Sequence, residues 1–268
     1  MSRTSAWSRT SRNASEEPQL TDLMLALDTA TPVASVALGV PGGRGGSVIT
    51  VSEAGVRRHA SRIVPMIDEA LRQADRRPAD LSGIIVADGP GSFTGLRIGW
   101  AAAKGLAHER GIALWHAPSL LGLAFGAWRA AGAASGAPVA VCYDALRDQV
   151  FAAMYAFQPH RVEALVPPAL MTVAAFARVA PRRPEVVVGD GARLYAEQIY
   201  TWVGYHPGDA DGTVSAAALL ALHGWDGGAV RVVGPALAEP IYGRPAEAQV
   251  RWEARYGRPL PDPSRNAR

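Results

Sequence analysis

The chain has 268 residues, 49% hydrophobic and 19% charged, which supplies a sizeable core and excludes a disordered polymer. Its one cysteine, Cys142, rules out an intrachain disulfide and the zinc sites built on several cysteines, so a reducing cytoplasm is the expected compartment. The formal charge of +3 sits at the end of the chain, where six Arg from Arg244 onward face Glu247, Glu253 and Asp262; the rest is neutral, and net charge alone does not argue for nucleic acid.

Residues 1–22 are rich in Ser, Thr and Arg with no apolar stretch, so a secretory signal is excluded; with Met24 standing just before the first apolar strand, the segment ahead of it is expected to be either a disordered extension or a misplaced start. Two apolar runs follow, 23–30 closing near Asp28 and 33–40, with a polar break at 29–32; a glycine turn at 42–46 leads into 47–52. This pattern predicts an antiparallel meander of three strands. Ile63, Ile67, Ala70, Leu71 and Ala74 then recur at helical spacing, and Pro65 places the expected helix start near Ser61, because proline belongs in a first turn. A short β-branched strand at 83–87, a glycine-rich turn and a long helix through Ala107 come next. Residues 111–128 are uncharged, but His116, Pro118 and Ser119 break them into strand, turn and helix rather than a bilayer span.

The second half repeats this grammar. Residues 139–143 run into Asp144 and are followed by a strand at 150–157, as the first strand runs into Asp28 and its hairpin. Val186-Val187-Val188-Gly189-Asp190-Gly191 echoes Ile84-Ile85-Val86-Ala87-Asp88-Gly89, each an apolar strand ending in an Asp-Gly turn. A duplicated α/β unit is the simplest account. The expected organisation is one lobe at 23–129, an Ala- and Gly-rich linker at 130–138, a second lobe at 139–243 and a basic tail at 244–268.

The segment G-P-G-S-F-T-G-L-R-I-G, residues 89–99, follows a strand and opens a helix, a context in which backbone N–H groups can hold an anion. It nevertheless fails the P-loop, nucleophile-elbow and dinucleotide-binding patterns, each on a residue that the pattern requires. Gly91, Gly95 and Gly99, extended by Ala102 and Ala103, leave one helix face without bulk, and either the protein's own sheet or a partner subunit can pack there. Phe93 and Arg97 lie off that face and would frame it.

Asp28-Thr29-Ala30-Thr31 has the look of the hairpin that holds metal-bound phosphate in actin-like ATPases and sugar kinases, but Ala30 stands where a glycine is usual; an Asp and Thr turn also needs no ligand at all. None of the six His has another three or four residues away, and at the position where His116 would find a partner stands Leu120, so no metal pair is expected.

Together the segments 25–38, 59–67, 89–99, 144–151 (D-A-L-R-D-Q-V-F) and 238–244 (A-E-P-I-Y-G-R) resemble the TsaB/YeaZ family over about residues 23–245. The resemblance implies a duplicated actin-like (RNase H-like) α/β fold of two lobes. It also implies an accessory subunit of the machinery that installs N6-threonylcarbamoyl on adenosine 37 of tRNA, without catalytic residues, cofactor or metal of its own. The implied partners are a TsaD-type catalytic paralogue, a TsaE-type ATPase and, through the complex, tRNA; a homodimer of the lone chain is left open. An actin-like ATPase or phosphotransferase is the alternative reading and a peptidase a minor one. Helices matching 61–76 and 93–107 would make the contact, with His59, Arg62, Ile63, Met66, Phe93, Gly95, Arg97, Ile98, Gly99 and Ala102 as interface residues. Asp28, Thr29, Thr31 and Asp144 would form a degenerate nucleotide site. Asp148 stands where the family usually has glycine.

Overall fold

A computed structural model describes residues 22–43, 47–55, 59–207, 215–244 and 247–257. The expected extension at 1–22 lies outside these residues but for Asp22, as does most of the end of the tail. Strands β1 (Met24–Asp28), β2 (Val33–Gly39) and β3 (Ile49–Ala54) form the meander. Helix α1 (His59–Gln73) crosses back to β4 (Gly83–Ala87), which runs parallel to β1 with Leu25 opposite Ile84. Helix α2 (Phe93–Arg110) then leads to β5 (Ala113–Ala117), parallel to β4. After α3 (Ser119–Ala130) the pattern restarts with β6 (Pro138–Asp144), β7 (Val150–Gln158), β8 (Arg161–Met171), α4 (Val173–Val179) and β9 (Val186–Val188). Helices α5 (Asp190–Leu194), α6 (Ala196–Val203) and α7 (Ala216–Leu222), strand β10 (Val230–Arg231) and helix α8 (Glu247–Tyr256) complete the described chain.

The sheet orders are β10-β5-β4-β1-β2-β3 and β8-β7-β6-β9. In each, an antiparallel meander is followed by a parallel strand beside its first member, Val139 opposite Val186 repeating Leu25 opposite Ile84. The duplication expected from the Asp-Gly echo is therefore present in the strand order.

Alternation within the central strands explains the layers. Leu25 and Leu27 of β1 point into a core shared with Ile63, Met66, Ala70, Trp100 and Ala103 of α1 and α2, whereas Met24 and Ala26 point to Ala216, Leu219 and Leu220 of α7. In β6, Val139, Val141 and Tyr143 face Leu120, Leu121 and Phe125 of α3, and Ala140 and Cys142 face Phe176 and Ile199 of α4 and α6. Strands buried on both faces need no polar alternation. One consequence crosses the 130–138 segment: α3, which follows the first sheet in sequence, packs on the second, and α7, which follows the second, packs on the first.

Two local expectations need correction. Helix α1 begins at His59, and Pro65 sits in its second turn rather than its first. The ring is exposed, and the inner row Ile63, Met66, Ile67, Ala70 and Leu71 is buried; core packing outweighs the lost backbone donor. The basic tail also contains α8, which the Pro and Arg content does not announce. Among the described residues no helix is long and apolar enough to cross a membrane.

Candidate functional site

The two motifs that stand out in the sequence meet in space. The β1–β2 hairpin lies on the start of α2: the Ser92 N–H donates to Ala30 O at 2.7 Å, and the Thr29 hydroxyl donates to Gly95 O at 2.7 Å. Ser92 caps the helix by accepting from the Gly95 N–H at 3.2 Å. A Cβ at Gly91 would collide with Ala30, one at Gly95 with the Thr29 carbonyl, and one at Gly99 with the Thr29 hydroxyl. The bulk-free row is therefore filled by the protein's own hairpin.

This corrects part of the expected interface. Gly95 and Gly99 are buried beneath the hairpin, and Ile63 and Met66 are buried in the core, so none of the four presents a surface to a partner. Arg62 is exposed and bonds Glu53 at 2.6 Å; Ile98 and Ala102 are half-buried at the edge of the core. His59 starts α1, and its side chain lies outside the described residues. The outward face of the α1–α2 pair is carried instead by Val64, 64% exposed, and by Pro65, Asp68, Ala101 and Gly105.

Phe93 and Arg97 hold a strap formed by residues 230–244. The Phe93 and Tyr242 rings stack at 4.3 Å, and Arg97 lies over Phe93 at 4.7 Å while its Nε donates to the Tyr242 hydroxyl at 3.0 Å. The chain's single lysine, Lys104, donates to Ala236 O and Ala238 O at 3.0 and 2.9 Å. Further along, the Ile241 N–H donates to Asp88 O at 2.7 Å and Arg244 to Ala145 O at 3.0 Å, so the strap joins both halves.

The hairpin acids are placed differently from one another. Asp28 is 1% exposed; its Oδ1 accepts the Ala30 N–H at 2.8 Å and its Oδ2 has no partner. Burial, with repulsion from Asp88 adding to it, pushes its pKa up to about 7 against the opposing Ala30 N–H. Thr29 is sealed under α2, and the Thr31 hydroxyl donates to Val33 O at 2.9 Å across its own turn. Asp144 closes a turn by accepting the Leu146 N–H at 2.9 Å. There Leu146, Arg147 and Asp148 all have positive φ, Asp148 at 59°, which is why a glycine suits position 148.

Outside the residues expected of the hairpin site, Asp88, Ser119, Tyr143 and Tyr155 are also buried. His116, watched as a metal ligand, donates or accepts through Nδ1 with Asp88 Oδ2 at 2.5 Å. Among the described residues no group of three or more His, Cys, Asp and Glu is placed to hold a metal. The Asp-Gly echo pointed to Asp88; the tyrosines carry no comparable signal, because they read as ordinary strand residues.

Two lobes built on one strand order, with the hairpin acid at the end of the first strand, define a duplicated actin-like α/β protein. Residues 49–198 match the family model TsaD, described as tRNA N6-adenosine threonylcarbamoyltransferase. The chain is 31% identical over 205 residues to the tRNA threonylcarbamoyladenosine biosynthesis protein TsaB of Bacillus subtilis, covering 73% of this chain and 84% of that protein. It is 37% identical over 132 residues to TsaB of Escherichia coli, a match spanning 49% of this chain and about half of the relative, 54%. The solved structure of YeaZ from Pseudomonas aeruginosa superposes with a TM-score of 0.54 at 27% identity, covering 63% of this chain and 84% of that one. A second structure, of a protein with similarity to peptidase YeaZ from Pseudomonas aeruginosa, gives 0.57 at 25% identity over 83% of this chain and 100% of that one. The chain belongs to the TsaB/YeaZ family.

Proposed function

We propose that this chain is the non-catalytic partner subunit of the complex that transfers threonylcarbamoyl from threonylcarbamoyl-AMP to N6 of adenosine 37 in tRNAs reading codons that begin with A. It pairs with a TsaD-type catalytic paralogue, and a TsaE-type ATPase joins the pair. The observation that carries the reading is the sealed hairpin. Thr29, which a phosphate-binding hairpin would offer to its ligand, is sealed beneath α2, Asp28 is buried as well, and α2 exposes the small residues Ala101 and Gly105 while α1 exposes Val64 and Pro65. A face of that kind suits helix-on-helix docking, because small residues let a second helix pair approach closely. The subunit would act by holding the paralogue's active conformation rather than through side-chain chemistry of its own.

The test reconstitutes tRNA threonylcarbamoylation with and without this chain. Transfer should fall to background when it is omitted, and Ala101→Arg, placed on the exposed face of α2, should abolish both the 1:1 complex and the transfer while leaving the thermal melt of the lone chain intact. Full transfer in its absence would overturn the proposal. So would ATP turnover by the isolated chain that Asp28→Ala removes.

A further inference from the structure

A cleft between the two halves opens at the opposite end of β1 from the hairpin. Met24, which begins the strand, lines it, whereas Asp28 closes the strand about 13 Å further on at the rise of an extended chain. The cleft has a volume of about 790 Å³, within the range of small-molecule sites, and no residue of α1 or α2 lines it. It is therefore separate from the hairpin and from the face assigned to the partner.

Both halves build its walls. The first sheet gives Trp115 of β5, whose ring, with the end of the Met24 side chain, fills the place where a Cβ on Gly83 would stand. His223, just past α7, meets Trp115 edge-on at 4.9 Å. Trp225 belongs to a segment tied to the β7–β8 turn, where the Asp226 N–H donates to His160 O at 3.0 Å and the Val162 N–H to Asp226 O at 2.7 Å. Its ring packs edge-on against Phe125 of α3 at 5.3 Å and lies 5.7 Å from the His160 ring. Arg129, one turn beyond Phe125, lines the same cleft and is exposed, with its guanidinium 5.9 Å from the Phe125 ring.

The polar groups that these walls leave free are donors. Among the described residues no hydrogen bond engages the indole N–H of Trp115 or Trp225, the Arg129 guanidinium or either imidazole, whereas the indole N–H groups of Trp100 and Trp128 are both taken by backbone carbonyls. Both cleft indoles are half-buried, so a face or edge of each meets the cavity. Burial lowers the pKa of His223 against the opposing charge of Asp22, the one carboxylate among the described lining residues, so at neutral pH the imidazole is uncharged and has an N–H to offer. Indoles stack on planar rings, and a guanidinium with unengaged N–H groups takes acceptor oxygens.

We propose that this cleft binds a small planar aromatic anion, its ring against the Trp115 and Trp225 indoles and its charged group held by Arg129. Nucleoside phosphates and aryl carboxylates share this chemistry, and the experiment separates them. The site does not depend on the partner role and is tested on the lone chain.

Calorimetry on the full-length protein, at neutral pH and fixed ionic strength, titrates AMP, naphthoate, adenosine and ribose phosphate. At least one of the two aromatic anions should bind saturably: AMP alone marks a nucleotide site, and naphthoate, alone or with AMP, marks one that takes aryl carboxylates. Adenosine lacks the charge and ribose phosphate lacks the ring, so each should bind at least tenfold more weakly. Arg129→Gln, at an exposed position, should weaken binding at least tenfold without changing the thermal melt, and it keeps the test valid should Trp225→Leu, expected to do the same, fail to fold. With fluorotryptophan incorporated, the fluorine resonances of Trp115 and Trp225 should shift on ligand addition, and that of Trp202, packed on Phe176, should stay. The proposal is overturned by the absence of saturable binding for both aromatic anions, or by adenosine or ribose phosphate binding as tightly. Affinity unchanged in Arg129→Gln, or shifts confined to other tryptophans, would overturn it equally.

Discussion

The three glycines of α2 meet two different environments. Gly95 and Gly99 lie against Thr29, where a methyl group has no room, whereas Gly105 is exposed with nothing near the position of a Cβ. Overpacking a tight contact costs about 1–3 kcal/mol, while an exposed helical glycine costs about 0.5–1 kcal/mol relative to alanine. Gly95→Ala should therefore lower the urea midpoint of the isolated chain by an amount worth about 1–3 kcal/mol, and Gly105→Ala should raise stability by about 0.5–1 kcal/mol. Equal responses at the two positions would mean that the hairpin does not press on α2. The same contrast separates folding from docking: a substitution at Gly95 reads out the hairpin, and one at Ala101 reads out the outer face.

At the scale of elements, the strap between residues 230 and 244 has little buried surface of its own, with Val233 and Leu237 more than nine-tenths exposed. It stays in place through Lys104, the Phe93–Tyr242–Arg97 stack and a few backbone bonds. An aromatic pair is worth about 0.5–1.5 kcal/mol and a surface cation–π contact about 0.5–1 kcal/mol. Tyr242→Ala should lower global stability by about 1–2 kcal/mol. Hydrogen exchange should locate the loss: the Ile241 N–H, which donates to Asp88 O, loses protection, and the Val232 N–H, which donates to Leu114 O beside β10, keeps it. Uniform loss across both would show that the strap is not a separate unit.

The elements also show which parts of the fold a sequence can announce. The first meander, α1, α2 and the paired Asp-Gly turns follow from apolar spacing and turn residues, which are local properties. Strand β8 does not, because Pro167 and Pro168 lie within it and a proline in a strand normally argues against one; they are tolerated here because β8 is an edge strand of its sheet and its ladder with β7 shifts register beside them. The glycine row was visible as a face without bulk, but what fills it depends on where a hairpin 60 or so residues earlier in the chain comes to rest, as the Thr29 to Gly95 bond shows. Asp28 was legible as the acid of a hairpin. That Tyr143 and Tyr155 are buried against α3 depends on where the second sheet comes to lie, which a strand pattern alone does not announce.

For the whole molecule, the exchange of α3 and α7 decides how many cooperative units there are. A cut within 130–138 would leave the first sheet with α1 and α2 on one face and nothing over Met24, Ala26, Ile85 and Ala117, which α7 covers in the intact chain. It would also strand α3, whose Leu120, Leu121, Leu123 and Phe125 are buried against the second sheet. Fully burying a Leu or Phe side chain is worth about 1.5–3 kcal/mol, so losing several such contacts exceeds the usual 5–15 kcal/mol margin of a domain. The full chain should melt in one transition with equal calorimetric and van't Hoff enthalpies. A fragment of residues 22–137 should lack near-UV circular dichroism and a cooperative melt, and should recover both when residues 138–257 are supplied in trans. A fragment that melts cooperatively alone would show that the two sheets fold independently, with α3 and α7 contributing only docking between finished lobes.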